Sequence, residues 1–565
     1  MMEKCNRQRG DIYCHLCGVS FNIARSRKPG EPDLASWDYA GQQCAEPGIE
    51  EVDLEKCAQN GCLAAISYPK NDGDNMLEDP DYVPPDEDDY SDPREYDSEY
   101  DSDTSMSISG DDNGDSDSDH DNENKDPQVD CYSDWLAETL NPQARFSGEP
   151  VGHFGFINKR YRNESVFPIK STTLSDYDPE ELEHIPSRTC TEANAYSGFS
   201  ISLEEMKGCR TAQCLVHKSA IQDPSQSIEF HEPWEVSEDW FLSGLSDGIP
   251  SRDCGYPKVW PAQGGVDRPR AENINFDPEW TPPQDLPMPF HPWCFDIFCR
   301  QSKARLNRIN ISGLIKWRNA EFTYEDFHSF PWSGDVFEGQ DQFWQHVPGK
   351  EYLAANPLYV PGLETFLLNA GRKEEDLSHD EMEEFEFSNK SHTSLQVGHD
   401  DVFVSLPPEI RLLLANFLDA GDLTNLRVAS KTFTSLPNSV WRRLVREEMP
   451  WLWESWSDGE EDHVPSFWTT VTANDLLFLK EVREHYSAQL SDVGTPTSEA
   501  VNSLLPFPKE VPNQLRLLRG STNWHGVYTQ IKKNWSSLRG LRNRQRIWEN
   551  VEEIIKRIEK YETQV

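Results

Sequence analysis

Leu406-Pro407-Pro408-Glu409-Ile410-Arg411-Leu412-Leu413-Leu414-Ala415-Asn416-Phe417-Leu418 is the stretch from which the organisation of this chain is read. Proline is tolerated in a first helical turn because the early N–H groups have no intrahelical partner. Glu409 then sits near the positive end of the helix dipole. Ile410, Leu413, Leu414, Phe417 and Leu418 recur at i, i+3, i+4, i+7 and i+8, which makes one apolar stripe, and Gly421 offers a stop. Asp422 is placed to cap a second short helix with Leu423, Leu426 and Val428. Ser430 is placed to cap a third piece with Phe433 and Leu436, and Ser439 a fourth with Trp441, Leu444 and Val445. Four short helices between Val402 and Arg446 make a small core, and a unit of that size gains stability from a partner.

Leu406-Pro407-Pro408-Glu409-Ile410, Asp422-Leu423, Leu426-Arg427-Val428, Phe433 and Trp441 resemble the F-box pattern at its spaced positions. Ser430 departs from it, standing where a cysteine is frequent. The resemblance covers under a tenth of the chain. It implies a module that binds the Skp adaptor and, through it, cullin and RING subunits. Leu406, Pro407, Ile410, Leu426 and Val428 match positions that form or support that contact. The plainer reading is a helical hairpin whose leucines serve only their own core.

Outward from this module the 565 residues are strongly acidic, with a net charge of −46 and a mean hydropathy of −0.73. Between Asn71 and Asp130 stand 24 Asp and Glu against one Arg and one Lys. That tract has too little apolar surface to offset its ordering entropy and is expected to be disordered. The acidic balance does not favour nucleic acid, whose binding is driven by releasing counterions to Lys and Arg. No apolar run approaches the ~20 residues that span a bilayer, so no membrane is expected. With no signal peptide visible, the chain reads as intracellular, in cytoplasm or nucleus, and its 13 cysteines as mostly reduced.

Cys14-His15-Leu16-Cys17-Gly18 is a CxxCG turn, a spacing that lets two thiolates chelate one zinc ion. Its missing half is either near, among Cys44, Cys57 and Cys62, or far, in Phe290-His291-Pro292-Trp293-Cys294. An N-terminal CxxCG, a later FHxxC segment and an F-box together resemble a group of fungal F-box proteins. That resemblance favours Cys14, Cys17, His291 and Cys294 as ligands of one structural zinc. Otherwise these are reduced cysteines in a turn and a buried histidine. Cys190, Cys209, Cys214 and His217 are too loosely spaced for zinc, and Cys209 and Cys214 read as small apolar groups. Ser202 and Glu205 form a capping box ahead of Gly208.

The expected fold class is α+β and multidomain. The parts are a cysteine-bearing segment 1–70, the acidic tract 71–130, a mixed aromatic-rich body 131–371 and an acidic linker 372–401. The F-box 402–446 and a helical region 447–565 follow. In the last region Ile547, Val551, Ile554, Ile555 and Ile558 form a stripe expected to pack on the body. The nearby basic residues, from Lys532 to Arg546, offer an alternative role towards the acidic tract or as a nuclear signal. No P-loop, GxGxxG, HExxH or GxSxG is present. The expected function is a non-catalytic adaptor that recruits an unknown protein substrate to a ubiquitin ligase. The alternative is a zinc-stabilised interaction scaffold that uses the F-box without promoting ubiquitination.

Overall fold

Thr211–His217 (TAQCLVH) is buried at six consecutive positions, so it has no solvent face and belongs in the middle of a sheet. In the computed structural model this strand, β4 here, is that centre. The structure describes residues 13–31, 35–37, 52–68, 163–170, 177, 182–220, 230–247, 259–261, 273–275, 285–321, 329–340, 344–372, 401–456, 463–473, 475–476 and 511–563. The acidic tract 71–130, almost all of the linker 372–401 and most of 491–513 lie outside them.

The elements that matter below are, in chain order, α1 (Leu54–Asn60), β1 (Leu63–Tyr68), β2 (Asn163–Pro168) and β3 (Leu182–Ile185). After β4 come β5 (Trp240–Leu242), β6 (Ser246–Asp247), β7 (Met288–Phe290), α2 (Pro292–Leu306) and α3 (Ile311–Glu321). Segment 402–446 supplies α4 (Pro408–Phe417), α5 (Ala420–Ala429) and α6 (Asn438–Glu448). Last are α7 (Trp524–Lys533) and α8 (Arg539–Thr563). The fold is α+β, as the sequence implies.

β4 pairs antiparallel with β7, with Leu215 opposite Met288, and with β5, with Leu215 opposite Leu242; β6 pairs with its start. A separate sheet has the order β2-β1-β3, in which Ala64 faces His184 across an antiparallel pair. The 25-residue α8 packs against α2 and α3. Its Ile547, Val551, Ile554, Ile555 and Ile558 are all fully buried, so the C-terminal stripe does cover the body. The helices cross closely at Gly313, where a Cβ would stand 2.6 Å from Ile558. Along α8, Glu552 pairs with Lys556 and Glu553 with Arg557, both at i,i+4.

One hydrophobic core runs through the N-terminal turn, the β4 sheet, the helices of segment 402–446 and α8. Of the basic residues near the C-terminus, Arg544 and Arg546 are buried in it, while Lys532 and Lys533 stay exposed. Arg544 is buried on Glu454 at 2.9 Å, and its guanidinium stacks 3.8 Å above Trp453. Arg300 lies over the same ring at 4.2 Å.

Three details of segment 402–446 differ from the sequence reading. α4 ends at Phe417, and Gly421 lies in the first turn of α5, capped by Asp419 and not by Asp422. Ser430 makes no side-chain cap; its hydroxyl donates to Asp401 at 2.7 Å. Ser439 lies inside α6, because Pro437 precedes the helix and needs no N–H there.

Candidate metal centre and docking face

Tyr13 and Ser20 pair across a tight turn in which Cys14 donates its N–H to Val19 and Gly18 donates to Cys14 at 2.8 Å. Gly18 has φ +74°, and a Cβ there would stand 2.9 Å from the Trp332 ring, so the glycine of CxxCG is required twice over. His15 donates its N–H to Pro289 of β7 at 2.9 Å, which lays the turn on the end of that strand. There α2 begins. His291 is its N-cap residue, and Pro292 and Cys294 occupy its first turn.

Cys14, Cys17, His291 and Cys294 converge, all buried, with their ligand atoms within 4.8 Å of one another. The far pairing is the one formed. His291 Nδ1 lies 3.6 Å from Cys17 Sγ and 3.9 Å from Cys294 Sγ. A tetrahedral zinc with ordinary Zn–S and Zn–N bonds sets that edge at about 3.6 Å, so the residues fit the ion. The other imidazole nitrogen, Nε2, lies 3.1 Å from the Cys209 carbonyl, which takes its proton and leaves Nδ1 free for a metal. Cys209 and Cys214 are buried as small apolar side chains, as expected, but Cys209 contributes this carbonyl, which the sequence did not disclose.

The electrostatics suit a cation. Burial pushes the Cys14 and Cys294 thiols well above the usual range, helped by the neighbouring sulfurs. Burial pushes Cys17 upward too, but hydrogen bonds from Cys14 and Cys294 and the charge of His291 outweigh it, and its thiol lies well below that range. One thiolate is tolerated here; three need a divalent ion.

A second buried quartet was missed from the sequence: Cys57, Cys62, His184 and Cys190, also within 4.8 Å. Cys190 therefore joins this group and not Cys209, Cys214 and His217. Its legible trace was the glycine of Cys57-Ala58-Gln59-Asn60-Gly61-Cys62. Gly61, at φ +76°, ends α1 in a Schellman motif, donating to Ala58 while Cys62 donates to Cys57 at 3.0 Å. That motif brings the residues on either side of it into contact. Here both are cysteines.

Segment 402–446 presents a different surface. Its own core is Ala415, Leu423, Phe433, Val440, Leu444 and Val445, all buried. The stripe on α4 does not join them: Ile410, Leu413, Leu414 and Phe417 are exposed, Phe417 by 79%. Val428 on α5 is exposed by 86%. Of the five residues expected to touch an adaptor, Pro407, Ile410 and Val428 are exposed, while Leu406 and Leu426 are half-buried. Val402 and Val404 add exposed apolar surface just before α4. Exposed apolar side chains at this density on one module mark an interaction surface.

The opposite side of the module is tied down. Trp441 packs on His525 and Tyr528 of α7, at ring distances of 4.5 and 5.6 Å. Asn438 bonds both Thr522 O and Trp524 N–H. Arg443 donates to the carbonyls of Ala415 and Leu418 at the C-terminus of α4, where a cation is favoured.

No protein-family profile and no solved structure matches the chain. A 57-residue stretch is 49% identical to part of the ATP-dependent RNA helicase mss116, mitochondrial, of Aspergillus oryzae. The match covers 10% of this chain and 9% of the helicase, so the chain spans under a tenth of that curated relative. Among the described residues, no helix is long and apolar enough to cross a membrane.

Proposed function

We propose that this protein is a non-catalytic, F-box-type substrate-recognition subunit of a Skp–cullin–RING ubiquitin ligase. The observation that carries the reading is the uncovered stripe Ile410, Leu413, Leu414 and Phe417 on α4, together with exposed Val428 on α5, in a module tied to α7 through Trp441 and Asn438. A helix face needed only for the module's own core would be buried. This one is left for a partner, and its position in the F-box pattern assigns that partner as the Skp adaptor.

The work of such a subunit is positioning. The F-box holds the adaptor, and the body that shares its core holds the substrate, which raises the local concentration of a substrate lysine near a charged conjugating enzyme. The attachment of α6 to α7 transmits that placement without a flexible joint. One zinc ion at Cys14, Cys17, His291 and Cys294 has a structural role in this account. With four protein ligands the site keeps no open position for chemistry.

Affinity purification of the tagged protein from cells tests the reading. Recovery of Skp adaptor, cullin and RING subunit, lost on Leu406→Ala with Pro407→Ala, is expected. Adaptor without cullin would favour a scaffold outside ubiquitin transfer, and absence of the adaptor would remove the reading.

A further inference from the structure

We infer that Cys57, Cys62, His184 and Cys190 bind a second zinc ion of their own, and that this ion organises the β2-β1-β3 sheet and is the more easily removed of the two. The inference stands apart from the docking reading; its count of two ions per chain and the order of their loss rest on the first quartet also holding one.

The donor set is three sulfurs and one imidazole. His184 Nε2 lies 3.4 Å from Cys57 Sγ and 3.9 Å from Cys190 Sγ. These bracket the edge of about 3.6 Å that tetrahedral zinc requires. No disulfide uses the sulfurs, since all three cysteines are free. Soft thiolates with one imidazole and tetrahedral spacing select zinc over oxygen-seeking cations. The Ser187 N–H donates to Cys62 Sγ at 3.5 Å, a bond suited to a thiolate ligand. The parts come from three places: the end of α1, the β3 strand opposite Ala64, and the turn after β3.

These residues have a hydrophobic cluster of their own, distinct from the main core. Its buried members besides the cysteines are Val52, Ala64, Ile66, Ile169 and Leu182. So small a cluster is a weak organiser of three strands and a helix, which is the situation in which proteins use a metal. An ion bound at the quartet would connect α1 to β3 directly.

The two quartets differ in their surroundings. Cys14 and Cys17 are flanked by buried residues, as are His291 and Cys294. Around the second quartet, Lys56, Ala58, Gly61, Thr189 and Thr191 are exposed. Water and chelator therefore reach it first.

The experiment uses the full-length protein purified without chelator. Elemental analysis is expected to give two zinc per chain, falling to one in Cys57→Ser and in Cys190→Ser. On titration with a chelator, in the presence of an alkylating agent, the first equivalent of zinc should leave as Cys57, Cys62 and Cys190 become labelled. Cys14, Cys17 and Cys294 should follow with the second. Mass spectrometry of the wild type reads this even where the variants fold poorly. Cobalt loaded in place of zinc should give thiolate charge-transfer absorption equivalent to two tetrahedral sites. Fewer than two ions in the wild type, two retained in Cys57→Ser, or labelling of Cys57, Cys62 and Cys190 independent of zinc would each overturn the inference.

Discussion

Arg546 Nη1 donates a 2.6 Å hydrogen bond to the carbonyl oxygen of Cys17, joining α8 to the CxxC turn across 529 positions of sequence. The guanidinium is buried and held in place by Asn543 Oδ1, which accepts from Nε at 3.2 Å and Nη2 at 2.7 Å. The first metal centre is thus supported by the last helix of the chain. Arg546→Met leaves the Cys17 carbonyl without this donor. The expected cost is about 1–3 kcal/mol, the range for an orphaned buried acceptor. Denaturant melts should show it, together with faster loss of zinc from the first quartet to a chelator. An unchanged melt and unchanged zinc retention would mean the bond supports nothing.

Arg544 and Glu454 form a buried pair in which Nη1 donates to both carboxylate oxygens at 2.9 Å. Burial draws the Arg544 guanidinium below its ordinary range, with Glu454 acting against that. Removing one partner strands the other charge, so Arg544→Met is expected to cost about 3–5 kcal/mol. The double change Arg544→Met with Glu454→Leu should recover much of it. A single variant as stable as the wild type in urea would contradict this.

His346 gives the chain a defined acid sensitivity. Its Nε2 accepts the Ala24 N–H at 2.8 Å, and burial, with the Arg210 charge nearby, lowers its pKa to about 3. An unfolded-chain imidazole titrates near 6.5. Between these values the unfolded state binds the extra proton, so stability is lost as pH falls from about 6.5. The slope is up to roughly 1.4 kcal/mol per pH unit. His346→Gln, whose amide oxygen can still accept, should lose about 2 kcal/mol less than the wild type between pH 7 and 5. Parallel losses in the two proteins would show that folded His346 takes up a proton as readily as the unfolded chain does.

What could be read in advance was local. The apolar periods of 410–417 and 547–558 lie within single helices, and the structure forms both. CxxCG and HxxC each carry half of a ligand set within a few residues, so the first quartet could be assembled from two recognisable pieces. The second could not, because Cys57 and Cys62 are spaced by a helix end and their partners His184 and Cys190 follow over a hundred residues later. Nor does periodicity say what covers an apolar face. By period alone the Ile410–Phe417 stripe suits either the module's own core or a partner, and the structure leaves it exposed while Leu423, Phe433 and Val440 are buried. The helix caps were misplaced by one to three residues, since Asp419, Asp422, Ser430 and Ser439 are all competent and tertiary partners choose among them.

The account turns on that exposed face, and binding of the purified Skp adaptor to the full-length protein by calorimetry tests it most directly. Phe417 and Val428 project into solvent, so Phe417→Ser with Val428→Glu should leave the melting temperature within error of the wild type. The same variant should weaken adaptor binding at least tenfold, about 1.4 kcal/mol or more. A buried control, Leu423→Ala, should instead destabilise the module by about 2–5 kcal/mol. Adaptor binding by the wild type that is lost in the folded surface variant is the predicted result. No binding by the wild type, or equal binding by the variant, would contradict it.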